Sequence, residues 1–191
     1  MDLMKIFLVA LLVNNVVLMR FLALCSYVGM TNDVGQSIGM GFAVTFVTVL
    51  ATAATWPLYH FVLVPLNLTF LQILVFILVI ASLVQLVEFY LKKNIPGLYA
   101  AMGIYLPLIT TNCAILAVTF ENISYKYSFL QSIVYSVGVS LGYLLAMVLL
   151  AGVRNRMRTS PVPKFLQGTP ILFISTALIG MAFMGFSGLI K

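Results

Sequence analysis

Charge is what this chain has least of. Of its 191 residues, four are Asp or Glu and ten are Lys or Arg, 7% in all, where soluble domains carry about a quarter. With 63% apolar residues, that deficit excludes a soluble globular protein and indicates an integral membrane protein. The net charge of +6 does not point to nucleic acid, because most of the basic residues sit between long apolar runs, as topology signals do. No small-residue cleavage site interrupts the first apolar run, which flows into Asn14 and Asn15, so no signal peptide is expected. Histidine occurs once and cysteine twice, which restricts any metal site. His60 has no carboxylate beside it and reads as part of an interfacial aromatic belt with Trp56 and Tyr59, not as a ligand.

What the chain does have is six apolar segments, at 4–28, 36–58, 69–91, 98–118, 128–152 and 169–190. Each is long enough to cross about 30 Å of hydrocarbon as a helix of ~20 residues. Connections are short and carry turn chemistry, the longest being RNRMRTSPVPKFLQG at 154–168, so residues 1–191 read as one all-α membrane domain without an extramembrane part. Lys92, Lys93, Arg154, Arg156, Arg158 and Lys164 fall on one side, against Lys5, Lys126 and Lys191 on the other. This bias places the loops after segments one, three and five in the cytoplasm and both termini on the outer side of a bacterial inner membrane. The Arg154–Arg158 cluster is read as an anchor, and Glu88 as a pair for Lys92 at the cytoplasmic interface.

The chain also repeats itself. Gln36, Ser37 and Ile38 recur as Gln131, Ser132 and Ile133, and ILVIA from Ile77 recurs as ILFIS from Ile171, at offsets of 95 and 94. Repeat one then covers about 1–91 and repeat two about 98–191. Three spans per half force the second copy to enter from the opposite side, as an inverted repeat about an axis in the membrane plane. Gly35, Gly39 and Ala43, and Gly138, Gly142 and Ala146, form stripes of small residues at helical spacing, where helix backbones are expected to approach closely.

Inverted repeats place polar sites at interrupted helices near the midplane. The first segment of each half has the marks of an interruption: Asn14 and Asn15 with Arg20 in segment one, and Pro107, Thr110, Thr111 and Asn112 in segment four. Kinked, continuous helices with satisfied polar groups account for the same residues. Cys25 and Cys113 lie in these two segments. On residues alone they are small buried hydrophobes, a disulfide, or half of a four-thiolate site lacking two ligands. In the last case Arg20 offsets the negative charge of the site.

The strings LVNNVVLMRFLALC, GIYLPLITTNCAIL and AFMGFSGL resemble the membrane-subunit family shared by the Rnf electron transport complex and the sodium-pumping NADH:quinone reductase. The likeness spans essentially the whole chain, and VNN and TTNC look more like the Rnf A-type member than the E-type member of the quinone reductase. The resemblance implies an ion-translocating ferredoxin:NAD oxidoreductase, in which this chain pairs with a homologous E-type subunit of opposite orientation and assembles with the B, C, D and G subunits in the bilayer. It further implies one [2Fe–2S] cluster shared by the pair, with Cys25 and Cys113 as this chain's ligands, and no flavin here. Arg20, Thr111 and Asn112 would then tune the cluster. A small inverted-repeat transporter or channel with inert cysteines is the competing expectation.

Overall fold

The computed structural model describes residues 3–31, 34–65, 69–94, 109, 111–158 and 166–185. Among these, all regular structure is helical.

The first apolar segment is not one helix. It begins as α1 (Leu3–Leu8) and widens into a π-helical turn over Val9–Val13, closed by the Asn14 N–H on the Val9 carbonyl at 2.7 Å. Asn15, extended at φ −66° and ψ 108°, restarts the chain as N-cap of α2 (Val16–Arg20). Its Oδ1 accepts the Val17 and Leu18 N–H groups at 3.1 and 3.3 Å, donors that hydrocarbon could not satisfy. A second break follows at once. Phe21 (φ 53°) and Ala23 (φ 60°) are left-handed before α3 (Leu24–Met30) begins. Such backbone costs about 1–2 kcal/mol at residues with a Cβ and persists where the surroundings over-determine it. The interruption expected at Asn14 and Asn15 is therefore present, and a second one follows it.

After α4 (Val34–Leu58) the chain widens into another π-turn at Tyr59–Leu63. Pro57, which has no N–H and crowds the carbonyl four residues back, lies just before it. The remaining helices are α5 (Gln72–Asn94), α6 (Cys113–Ser124), α7 (Phe129–Arg158) and α8 (Thr169–Met184). Val34–Leu63, Gln72–Phe89 and Phe129–Met157 are long and apolar enough to cross a membrane, while Leu3–Val13, Cys113–Ser124 and Thr169–Met184 are shorter apolar helices.

Two boundaries differ from the hydropathy reading. Hydropathy ends segment four at 118, but α6 continues to Ser124 and takes Glu121 and Asn122 into the packed interior. Pro107 and Thr110 lie outside the described residues. Hydropathy ends segment five at 152, but α7 stays helical through Arg158. Cations are favourable at a helix C-terminus. Arg154 is also held there: its Nη1 donates to the Val28 carbonyl at 3.1 Å and to Thr31 Oγ1 at 3.2 Å, closing the end of α3.

The most extensive packing is between α4 and α7, where Met40, Val44 and Ala51 meet a core that includes Tyr143, Met147 and Leu150. A Cβ at Gly41 would lie 2.7 Å from Leu144 Cγ, so the absence of a side chain sets this approach. The α7 stripe of small residues packs elsewhere in the subunit. A Cβ at Gly138 would lie 2.8 Å from Ala10 Cβ, and one at Gly142 would lie 2.8 Å from the Leu11 carbonyl, both in the π-turn of segment one. Gly35, by contrast, faces open space.

Polar groups inside the bundle are bonded locally. Thr48, Thr55, Ser136 and Ser140 each donate to the carbonyl four residues back at 2.6–2.8 Å. Thr52 and Ser136 share a hydrogen bond at 2.7 Å, and Asn122 Nδ2 reaches Ser136 Oγ at 3.1 Å. That cluster ties α4, α6 and α7 together where the hydrophobic effect between lipid-embedded helices is absent.

Candidate functional site

Both cysteines stand in the first turn of a half-helix that follows a break. Cys113 is the first residue of α6 and Cys25 the second of α3. Asn112 (φ −70°, ψ 112°) caps α6, its Oδ1 accepting the Ala114 N–H at 3.0 Å. This is nearly the geometry that Asn15 uses to cap α2. The two capping asparagines are 97 positions apart, close to the repeat offsets, whereas the cysteines are 88 apart. The breaks themselves meet: the Ala23 N–H donates to Cys113 Sγ at 2.9 Å. The sulfur of Cys113 thus lies against the turn that carries Cys25. Both are free thiols, Cys25 exposed and Cys113 half-buried.

Tyr143, fully buried on α7, braces both sides of this junction. Its hydroxyl shares a hydrogen bond with Ser26 Oγ at 2.9 Å, and Ser26 also donates to the Ala23 carbonyl at 3.0 Å. Asn112 Nδ2 approaches the same phenol without completing a hydrogen bond. Thr111, Asn112 and Cys113, with Gln85 and Ile77 of α5, line a cavity of about 390 Å³.

Arg20, expected to offset charge at the thiolates, gives its guanidinium to Glu121 Oε1. Glu121 Oε2 accepts the Tyr135 hydroxyl at 2.6 Å, and Asn14 Nδ2 donates to that same hydroxyl at 3.2 Å. Asn15 Nδ2 donates to the Gly142 carbonyl at 2.8 Å, fixing the first break on α7. Glu121, Tyr135, Tyr143 and Ser26 are thus site residues that sequence reasoning did not find. A signal for Glu121 existed, since an acidic residue within an apolar helix marks a functional site by default.

Where α4 passes into its π-turn, Trp56, Tyr59 and His60 face Asn122, Lys126 and Tyr127 around a cavity of about 260 Å³. Trp56 stacks on His60 at 4.4 Å and its Nε1 donates to the Tyr127 carbonyl at 3.1 Å. Burial there pushes the Tyr127 phenol up. The arrangement fits the interfacial belt read from the sequence.

Residues 3–190 match the family model described as Rnf-Nqr subunit, membrane protein. The chain is 51% identical over 189 residues to the A-type subunit of the ion-translocating oxidoreductase complex of Syntrophotalea carbinolica, covering 99% of this chain and 98% of that one. It is equally 51% identical, with the same coverage, to the A-type subunit of the Na(+)-translocating ferredoxin:NAD(+) oxidoreductase complex of Acetobacterium woodii. Identity is 47% over 188 residues to the A-type subunit of the proton-translocating ferredoxin:NAD(+) oxidoreductase complex of Clostridium ljungdahlii, covering 98% of this chain and 97% of that one. These matches over nearly its full length show that the chain belongs to the Rnf-Nqr family of membrane subunits.

Proposed function

We propose that this chain is the A-type membrane subunit of an ion-translocating ferredoxin:NAD oxidoreductase, and that Cys25 and Cys113 supply two of the four thiolates of a [2Fe–2S] cluster completed by a homologous E-type subunit of opposite orientation. The observation that carries the reading is the Ala23 N–H on Cys113 Sγ, which brings the two cysteine-bearing turns together.

The donor set fits such a group. Two free thiols stand at helix starts, one of them already receiving a backbone N–H, as sulfur ligands of iron–sulfur clusters do. The chain has two cysteines, so the other two thiolates of a four-thiolate cluster would come from another chain. Cys25 is exposed on the face that would receive it. When bound, the cluster supplies a one-electron stepping stone within about 30 Å of hydrocarbon. The protein's part is placement. Tyr143 and Ser26 fix the break around Ala23, Asn112 holds the head of α6, and the Ala23 N–H stabilises negative charge on sulfur.

Six spans in two inverted repeats accord with the matched caps at Asn15 and Asn112 and with the full burial of Ser37 and Ser132 at equivalent positions. The outer termini, inner-membrane location and the B, C, D and G partners follow from the charge bias and the family resemblance. Relatives of similar identity are named for sodium and for protons, so similarity does not select the coupling ion. Expression of this chain alone and together with the E-type subunit tests the reading. Iron and inorganic sulfide should copurify only with the pair; iron held by either chain alone, or by neither combination, contradicts it.

A further inference from the structure

The cavity between the end of α4 and the turn after α6 has no part in the thiolate site. Its depth follows from helix length. Trp56 stands 22 residues beyond Val34, the first residue of α4, a rise of about 33 Å, which matches a hydrocarbon core of about 30 Å. Phe129, the first residue of α7, meets Trp56 edge to face at 5.4 Å. Two long apolar helices therefore end together at this cavity, at the level of lipid headgroups on one face of the bilayer. The π-turn over Tyr59–Leu63 opens the end of α4 at the same place, a setting in which π-bulges frequently accompany functional sites.

The lining combines an unmet acceptor with a cation. Asn122 is 2% exposed and forms part of the cavity wall; its Nδ2 donates to Ser136 Oγ at 3.1 Å, while its Oδ1 accepts no hydrogen bond. A buried acceptor left without a donor is costly and calls for a missing partner. Lys126, exposed at the rim, is held in left-handed backbone (φ 52°) with its N–H on the Ile123 carbonyl at 3.0 Å. The Tyr127 N–H takes the Asn122 carbonyl at 3.2 Å, so these carbonyls at the end of α6 are already engaged, which lessens their repulsion of an anion. Among the described lining residues none is acidic, and Glu121, next to Asn122 in sequence, is paired with Arg20.

We propose that this cavity holds the headgroup of a phospholipid, with the phosphodiester on the Lys126 ammonium and the His60 ring N–H, and an O–H or N–H of the headgroup donating to Asn122 Oδ1. A volume of about 260 Å³ lies just under the about 300 Å³ at which small-molecule pockets begin, enough for a headgroup but not for a whole lipid. Phe61 and Val62 on the π-turn and Leu130 on α7 are exposed apolar side chains flanking the site, where acyl chains would lie. That neighbourhood favours a lipid over a soluble phosphate ester. Binding would tie the end of α4 to the turn between α6 and α7, steadying the far end of the helix that begins at Cys113. The proposal does not depend on the cluster reading.

The test is native mass spectrometry of the intact complex, delipidated in detergent and offered phosphatidylethanolamine, phosphatidylglycerol and phosphatidylcholine in equal amounts. One lipid of either of the first two kinds should be retained about tenfold over phosphatidylcholine, whose quaternary ammonium has no N–H to give Asn122. Lys126→Gly removes the cation and suits the positive φ; the complex should assemble and hold that lipid about tenfold less tightly. Asn122→Ala should erase the preference over phosphatidylcholine. Equimolar phosphoethanolamine, which has no acyl chains, should not displace the lipid. Equal retention of the three lipids, phosphatidylcholine retained most, unchanged retention in K126G, or displacement by phosphoethanolamine overturns the proposal. If N122A does not assemble, the native preference and the K126G variant decide.

Discussion

The backbone N–H of Ala23 lies 2.9 Å from Cys113 Sγ, a contact between residues ninety positions apart that fastens one interrupted helix to another. It is made possible by the left-handed backbone at Ala23 and Phe21, which ends α2 and begins α3 within three residues. Backbone strain and the site's defining contact thus occur at one residue.

Glycine at position 23 would relieve that strain. Ala23→Gly should keep the iron signal and leave thermal stability equal or higher by about 1 kcal/mol, because Gly adopts positive φ without the Cβ clash. Ala23→Val should lower stability by about 1–3 kcal/mol, since a branched side chain is both strained there and too large for a fully buried position. Thermal unfolding in detergent, followed by a thiol-independent probe, distinguishes the two.

Asn15 caps α2 and also ties the break to α7 through the Gly142 carbonyl. Asn15→Ala removes both, and a loss of about 2–3 kcal/mol is expected from the cap and the buried hydrogen bond together. Asn15→Asp retains the cap acceptor but not the donor to Gly142, so it should recover the cap's share only. Comparing the melting temperatures of the two variants separates the contributions.

Gly142→Ala would force a Cβ to 2.8 Å from the Leu11 carbonyl. It should cost about 1–3 kcal/mol by pushing α7 off segment one. Gly152→Ala has nothing within 4 Å and should be neutral or mildly stabilising, as Ala is the better helix former. Equal effects at the two positions would show that α7 does not lie against the π-turn.

The Arg20–Glu121 pair should show coupling in a double-mutant cycle. Arg20→Met alone leaves a closed-in carboxylate without its cation, and because Arg20 is 42% exposed the expected cost is about 1–3 kcal/mol rather than the larger penalty of a fully buried pair. Adding Glu121→Gln should return part of that loss. Additive losses would mean that the two side chains do not interact.

Much of this arrangement was legible from composition and pattern. Asn14 and Asn15 stand out in an apolar run, because hydrocarbon itself offers an asparagine side chain no hydrogen-bond partner, and they do mark a break. The cysteines' shared setting was legible for the same reason. The second break was not, since Phe21 and Ala23 are residues that carry no signal for positive φ. Glu121 was missed because the apolar run of segment four ends at 118, three residues before it. Its cation lies 101 positions away at Arg20, a distance that no local periodicity spans. The small-residue stripe on α7 was visible, but which helix it meets is a property of the packing, and that helix is segment one.

The central claim is that Cys25 and Cys113 both hold one cluster at the junction made by Ala23. Iron content and the paramagnetic spectrum of the purified, reduced complex test it most directly in Cys25→Ser and Cys113→Ser variants. Each substitution alone should remove the [2Fe–2S] signal while the subunit remains inserted and assembled with its partner. A signal of undiminished intensity in either variant would contradict the account.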